Sequence, residues 1–292
     1  MLAQVSRKLL APQVPFAETL EEASVGSLVY VDERGQVRSH RLYKRRFGWR
    51  LAGAVAAMSG YTGILWMMGG PAGLVVGGLL TLMITRNLPA AGALRRGTVL
   101  VAAGRLDEAE ALLRRLIGGR FTAAGIKAYA EQALARVAAL RGRHDEALAL
   151  QSSALDRLSR SRRLRARRRI IEYDRVVTLV NLDLVADARR RFDALPRTLE
   201  GDYLRLQRTV TELYVAMGEG QHRFEPAFLQ EQAEIASSVP MSASLPALLA
   251  WAQAFAGHPQ KAAQLLTTAR ERAGGATIRK LYPRLGVWMD SQ

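Results

Sequence analysis

The amino-acid sequence predicts an all-α protein: a transmembrane helical hairpin followed by an α-solenoid of about five helix pairs, with a small β-hairpin near the N-terminus. Three observations carry that expectation. No charged residue occurs from Leu51 to Thr85, a longer uncharged run than a water-soluble core helix normally offers. A short element with glycine at a turn and alanine five positions on, Gly104-Arg105-Leu106-Asp107-Glu108-Ala109, returns 38 residues later as Gly142-Arg143-His144-Asp145-Glu146-Ala147. The chain is 49% hydrophobic but only 7% aromatic, which suits helices better than sheets.

Residues 1–47 form an N-terminal segment, expected on the cytoplasmic side. Met1 to Leu10 lacks an apolar core of signal-peptide length, so the segment is expected to stay on the mature protein. Pro12 and Pro15 make its start irregular, and Leu28 to Val31, then Asp32 to Gly35, then Gln36 and Val37, read as a β-hairpin with Gly35 supplying a positive φ. Two strands alone are marginal, so this piece needs the helices, the membrane or a partner to order it.

Residues 48–86 form the anchor. As one helix the uncharged run extends about 52 Å, against a hydrocarbon core of about 30 Å. Gly69-Gly70-Pro71 writes a break into it, and Trp49 and Trp66 bracket its first half where indoles mark membrane interfaces. A hairpin puts both flanks on one side. Both are basic, with Arg41, Lys44, Arg45, Arg46 and Arg50 before it and Arg86, Arg95 and Arg96 after it, which places them in the cytoplasm. A single kinked span from about Tyr61 to Thr85 is the competing reading and puts the C-terminal part outside. Gly69, Gly73 and Gly77 fall at four-residue intervals, a spacing that lets membrane helices approach closely for hairpin closure or dimerisation.

Residues 87–292 carry the paired helices. Weaker copies of the turn element lie at Asp183 to Ala188 and Gly257 to Ala262, and the 74 residues between them leave room for one more near Gly218 and Gly220. The expected pairs are 90–103 with 106–117, 122–141 with 145–160, 164–182 with 185–195, 203–217 with 225–237, and 242–256 with 259–273. Each copy describes an antiparallel helical pair: glycine ends one helix, a short polar turn follows, and alanine stands where the two helices touch. A single pair buries too little, so such units stack in arrays.

These residues resemble the tetratricopeptide-repeat family over residues 90–273. The match rests on Gly97, Gly104 and Ala109 in the first copy, on Leu134, Ala135, Gly142, Ala147 and Ala154 in the second, and on Leu249, Ala250, Gly257, Ala262 and Ala269 in the fifth. The third keeps Ala188 and Phe192 with Asp183 at the turn, and the fourth matches poorly. The family's first-helix Trp and Tyr are missing and the spacing is longer. What the resemblance implies is a stacked-hairpin solenoid, with no ligand identified.

The net charge of +16 points to a polyanionic neighbour, nucleic acid or an anionic lipid surface, although only five of 42 basic residues are lysine, a bias that a GC-rich bacterial genome also writes into any surface. Half of that charge sits in Arg157, Arg160, Arg162, Arg163, Arg165, Arg167, Arg168 and Arg169, with no acid among them. Guanidinium groups at that density suit phosphate through bidentate contacts. The window holds no aromatic residue for base stacking and Tyr173 is the nearest, so sequence-specific RNA reading is not indicated.

No catalytic, metal or cofactor site is expected. His40, His144, His222 and His258 lack metal-ligand spacing, and neither a phosphate-cradling loop nor a nucleophile elbow occurs. Asp107, Glu108, Asp145 and Glu146 open second helices, where negative charge favours the helix dipole, and read as capping residues. Cysteine is absent, which excludes disulfides and thiolate chemistry. The expected role is a membrane-anchored scaffold for protein–protein interaction, not an enzyme, with the solenoid cytoplasmic or, for the single span, extracytoplasmic. The alternative is a membrane-tethered polyanion binder using the arginine cluster.

Overall fold

The computed structural model describes residues 29–31, 37–39, 89–120, 122–159, 165–196, 202–220, 224–238, 243–272 and 275–292. The expected anchor at 48–86, with Gly69, Gly73 and Gly77, lies outside them, as does the hairpin glycine, Gly35. No helix among the described residues is long and apolar enough to cross a membrane. Two short strands pair antiparallel, β1 (Val29–Val31) with β2 (Val37–Ser39), Tyr30 opposite Arg38.

Everything else described is helical, in a solenoid-like stack. The helices are α1 (89–102), α2 (Leu106–Gly118), α3 (Ala124–Leu140), α4 (His144–Leu158), α5 (Arg165–Asn181), α6 (Val185–Asp193), α7 (Asp202–Gly218), α8 (Pro226–Ser238), α9 (Ser244–Phe255), α10 (Pro259–Arg272), α11 (Gly275–Leu281) and α12 (Pro283–Asp290). The first ten form five antiparallel pairs within about two residues of the expected bounds. The last two were not expected.

One turn geometry joins the members of four of the pairs, and the fourth pair shares its left-handed residue. Gly104, Gly142, Asp183, Gly220 and Gly257 have φ of 74°, 73°, 61°, 70° and 82°, the left-handed region that glycine enters without steric cost. At the first, second, third and fifth turns the N–H of this residue donates three residues back and the next N–H five back, as in Gly142 to Ala139 at 2.9 Å and Arg143 to Ala138 at 2.9 Å. That double bond is the Schellman closure, which satisfies carbonyls the ending helix leaves open. The second helix begins at once, because the residue after the turn already accepts from the N–H four positions on: Ala109, Ala147, Ala188 and Ala262 donate to Arg105, Arg143, Leu184 and His258.

Those alanines are the close-packing points. Ala109, Ala147 and Ala188 are fully buried and Ala262 nearly so. In the first pair Gly97 on α1 makes room for Leu113 on α2, since a Cβ there would stand 2.7 Å from a Leu113 methyl. In the fourth pair Leu229, whose N–H donates to the Glu225 carbonyl, is the buried residue at that position of α8, and a buried hydrogen bond from Thr209 on α7 to Gln232 on α8, at 2.5 Å, adds to the contact. Its second helix starts at Pro226, six residues after Gly220 rather than two, so the alanine five positions on is missing from its sequence.

Ion pairs register one hairpin on the next. Glu110, six residues after the first turn, accepts from Arg141, one residue before the second. Arg189 and Glu219 occupy those same two positions at the third and fourth turns with the charges exchanged. Between them, Leu148 and Leu182 take the positions at the second junction. Asp107 and Glu146 join the first network through Arg141 and through Arg114 and Arg143, while Glu108 pairs with Arg105. The four acids lie in the first turns of α2 and α4, where negative charge favours the helix dipole; no side-chain hydrogen bond caps either helix, and three of the four also serve ion pairs. Arg114 and Arg143 hold the Glu110 carboxyl below the usual carboxylate range.

Candidate functional site

The first helices of the pairs, α3, α5, α7 and α9, line one face of the stack, and the unexpected C-terminal segment lies across it. Its main packing partners are first helices: α11 touches α3, while α12 touches α7 and α9. Asn181, at the end of α5, donates from Nδ2 to the Leu281 carbonyl at 3.1 Å and accepts from the Tyr214 hydroxyl at 2.6 Å. Tyr282 meets the Tyr214 ring edge-on at 5.0 Å between centroids. Ile278, Leu285 and Met289 are buried in the same cluster as α5 to α10. With Tyr282 they space four, three and four residues apart, a one-sided apolar stripe. That spacing is legible in the sequence, but Pro283 divides it into pieces too short to stand out as a helix.

Beside the stripe the face is polar. Gln132 on α3 donates from Nε2 to Asp174 on α5 at 3.1 Å, and the Arg167 guanidinium lies 4.9 Å from the Tyr129 ring centre, within cation–π range. Burial pushes the Asp174 carboxyl up, against the Gln132 hydrogen bond and the fields of Arg136 and Arg167. Burial also raises the Tyr203 phenol and takes that of Tyr282 to about 12, with Asp174 adding to both. The carboxylate is therefore held against its desolvation. A raised folded pKa adds stability below the unfolded value of about 3.9, and that stability is lost as pH rises through the folded value. Asp174→Asn keeps an acceptor for Gln132 and is expected to be more stable than the parent at about pH 7.5, with the difference vanishing or reversing at about pH 3.5, below the unfolded carboxylate value. Thermal unfolding of both chains at the two pH values checks it.

The eight cluster arginines divide. Arg157 donates through Nε to both carboxylate oxygens of Glu131 at 2.9 Å, and Glu131 is 3% exposed and also accepts from Ser153. Arg168 and Arg169 converge on Glu172 at 3.1 and 2.6 Å, and Arg167 turns to Tyr129. Arg165 is exposed. Arg160, Arg162 and Arg163 lie outside the described residues. The sequence window held no acid, but the fold brings Glu131 from the first helix of Arg157's own hairpin and Glu172 from the next helical turn. The Glu131 pairing, 26 residues away, could not be read from the local charge run, whereas Glu172 stands one helical turn from Arg168 and Arg169.

The cluster lies at a polar junction. Between the second and third pairs, Gln151 donates to Thr178 at 3.0 Å inside the core, alongside the Gln132–Asp174 contact, and the Glu131–Arg157 pair lies within the second pair beside them. The apolar residues there, Ala128, Ala154, Leu158 and Ile171, form a small cluster separate from the large one of the last three pairs. Among the described residues no group of His, Asp and Glu could hold a metal ion. His144 is pushed down by burial, and His258 is exposed at the fifth turn.

No family model, curated protein or solved structure matches the chain.

Proposed function

We propose that this chain is a membrane-anchored helical scaffold, without catalytic chemistry, whose first-helix face docks a helical segment of a protein partner in a membrane-associated complex. The observation that carries the reading is that this face already accepts one amphipathic helical segment, the chain's own α11–α12, by apolar anchors flanked by hydrogen bonds. Stacked hairpins suit this work because a continuous face spans several units. The turn glycines and buried alanines support a tetratricopeptide-like origin for the pairs. Membrane attachment rests on the uncharged run from Leu51 to Thr85, and the basic residues on both sides of it favour a cytoplasmic solenoid over an extracytoplasmic one.

Affinity isolation of the full chain from gently solubilised membranes tests the reading. A stoichiometric partner that is lost when Tyr203→Ala and Tyr129→Ala alter the first-helix face supports it. A chain that purifies alone under several detergents sinks it.

A second reading, a membrane-tethered polyanion binder, is favoured by Arg165, which is exposed and, with Arg160, Arg162 and Arg163, concentrates charge in six residues of sequence. Replacing these four by glutamine leaves the Glu131 and Glu172 ion pairs in place. Binding to anionic vesicles that falls at least tenfold between 50 and 200 mM salt, at about these concentrations, and is lost in the variant would support it. Salt-independent affinity would remove it.

A further inference from the structure

We propose that α11–α12 is a displaceable strap: an intramolecular occupant that covers the first-helix face and leaves when a partner helix of similar pattern takes its place. The inference rests on the scaffold reading and adds its regulation.

The strap is built as a unit of its own. Arg279 on α11 reaches Asp290 at the end of α12 at 2.6 and 2.9 Å, and Gly286 packs against the backbone of Arg279, where a Cβ would come within 3.1 Å of its Cα. Helices of seven and eight residues are too short to persist without packing, so the strap keeps its form only while docked or folded on itself. Val287 on its outer side is 73% exposed. It adds no further hairpin to the stack, and it runs back across the stack as far as α3.

A latch holds it at the edge. Arg284 pairs with Asp183 and donates to the Gly218 carbonyl at 3.4 Å. Asp183 is the left-handed turn residue of the third pair, the position that is glycine at each of the other four turns. A side chain there strains the backbone, and the one departure from glycine falls where the strap's guanidinium arrives. The turn's own needs argue for glycine, whereas the strap's need argues for a carboxylate. The occupant that fits is accordingly an amphipathic segment with apolar residues spaced four, three and four, as at Ile278, Tyr282, Leu285 and Met289, and a guanidinium that meets Asp183.

Two substitutions separate latch from turn. Asp183→Gly relieves the backbone and removes the carboxylate, whereas Arg284→Gln leaves the turn untouched. The measurement is amide hydrogen exchange by mass spectrometry on the full chain in mild detergent, comparing residues 275–290 with α7 and α9. In the parent the strap is expected to exchange at least tenfold faster than α7 and α9, as a separately opening unit. Both variants are expected to speed it a further two- to fivefold, about the worth of a largely exposed ion pair, without changing α7 or α9. Asp183→Gly should also leave the unfolding temperature equal or higher. A strap that exchanges at the rate of α7 and α9, opening only with the whole domain, overturns the proposal. So does a strap that neither substitution speeds. This exchange result stands independently of whether a partner co-purifies, so the scaffold reading and the strap fail separately.

Discussion

Arg157→Ala is expected to destabilise the folded chain by about 3 kcal/mol, the largest loss from any member of the arginine cluster. Glu131 is 3% exposed, and Arg157 supplies both of its charge-assisted bonds other than that from Ser153. Removing one partner of a buried pair leaves an uncompensated charge, which costs about 3–5 kcal/mol. The lower end applies because the Arg157 side chain is 36% exposed and water reaches the carboxylate once it is gone. Thermal unfolding of the full chain should then show a fall of several degrees in Tm, rescued by the double variant Arg157→Ala with Glu131→Gln. A single Arg157→Ala that unfolds with the parent would mean that Glu131 is solvated. The result bears on function, since neutralising all eight arginines together would unfold the junction and mimic a loss of binding. Arg160, Arg162, Arg163 and Arg165 are the probes that spare the Glu131 and Glu172 ion pairs.

Tyr214→Ala should cost about as much or more, about 3–5 kcal/mol, the range for deleting a buried aromatic ring. The ring is fully buried in the cluster that joins the last three pairs to the C-terminal segment, its hydroxyl donates to Asn181, and burial pushes its ionisation up so that it stays a donor. Tyr214→Phe isolates the polar part: it leaves the Asn181 oxygen without its donor at about 1–2 kcal/mol. Denaturant titrations of the three chains should rank parent, Phe and Ala in that order. Equal stability of parent and Phe would show that Asn181 finds another donor and that its bond to Leu281 is independent of Tyr214.

Much of the stack was legible because its turn chemistry is local. Gly104, Gly142 and Gly257 announce a left-handed residue, and the alanine five positions on announces close packing, so a short window contains both signals. Gly220 was placed by spacing alone, and its pair is disguised because the next helix starts six residues on, at Pro226, which moves the buried contact from the expected alanine to Leu229. The candidate site was far less legible. Glu131 finds Arg157 across 26 residues and Arg284 finds Asp183 across 101, and no local pattern encodes such distances. Asp183 itself was visible as a departure from the turn pattern, but the reason for it lies in a segment that a proline had hidden.

The exchanged charges at successive junctions have a consequence for how the chain keeps its hairpins in order. Glu110 of the first hairpin is matched to Arg141 of the second, and Arg189 of the third to Glu219 of the fourth. Were the fourth hairpin to settle on the first, two carboxylates would face each other. Were the second to settle on the third, two guanidiniums would. The leucines at the intervening junction offer a charge nothing to pair with. Units of similar shape thus carry distinct addresses, and a nascent chain, or two neighbouring chains crowded on a membrane, would meet repulsion wherever a hairpin was borrowed out of sequence.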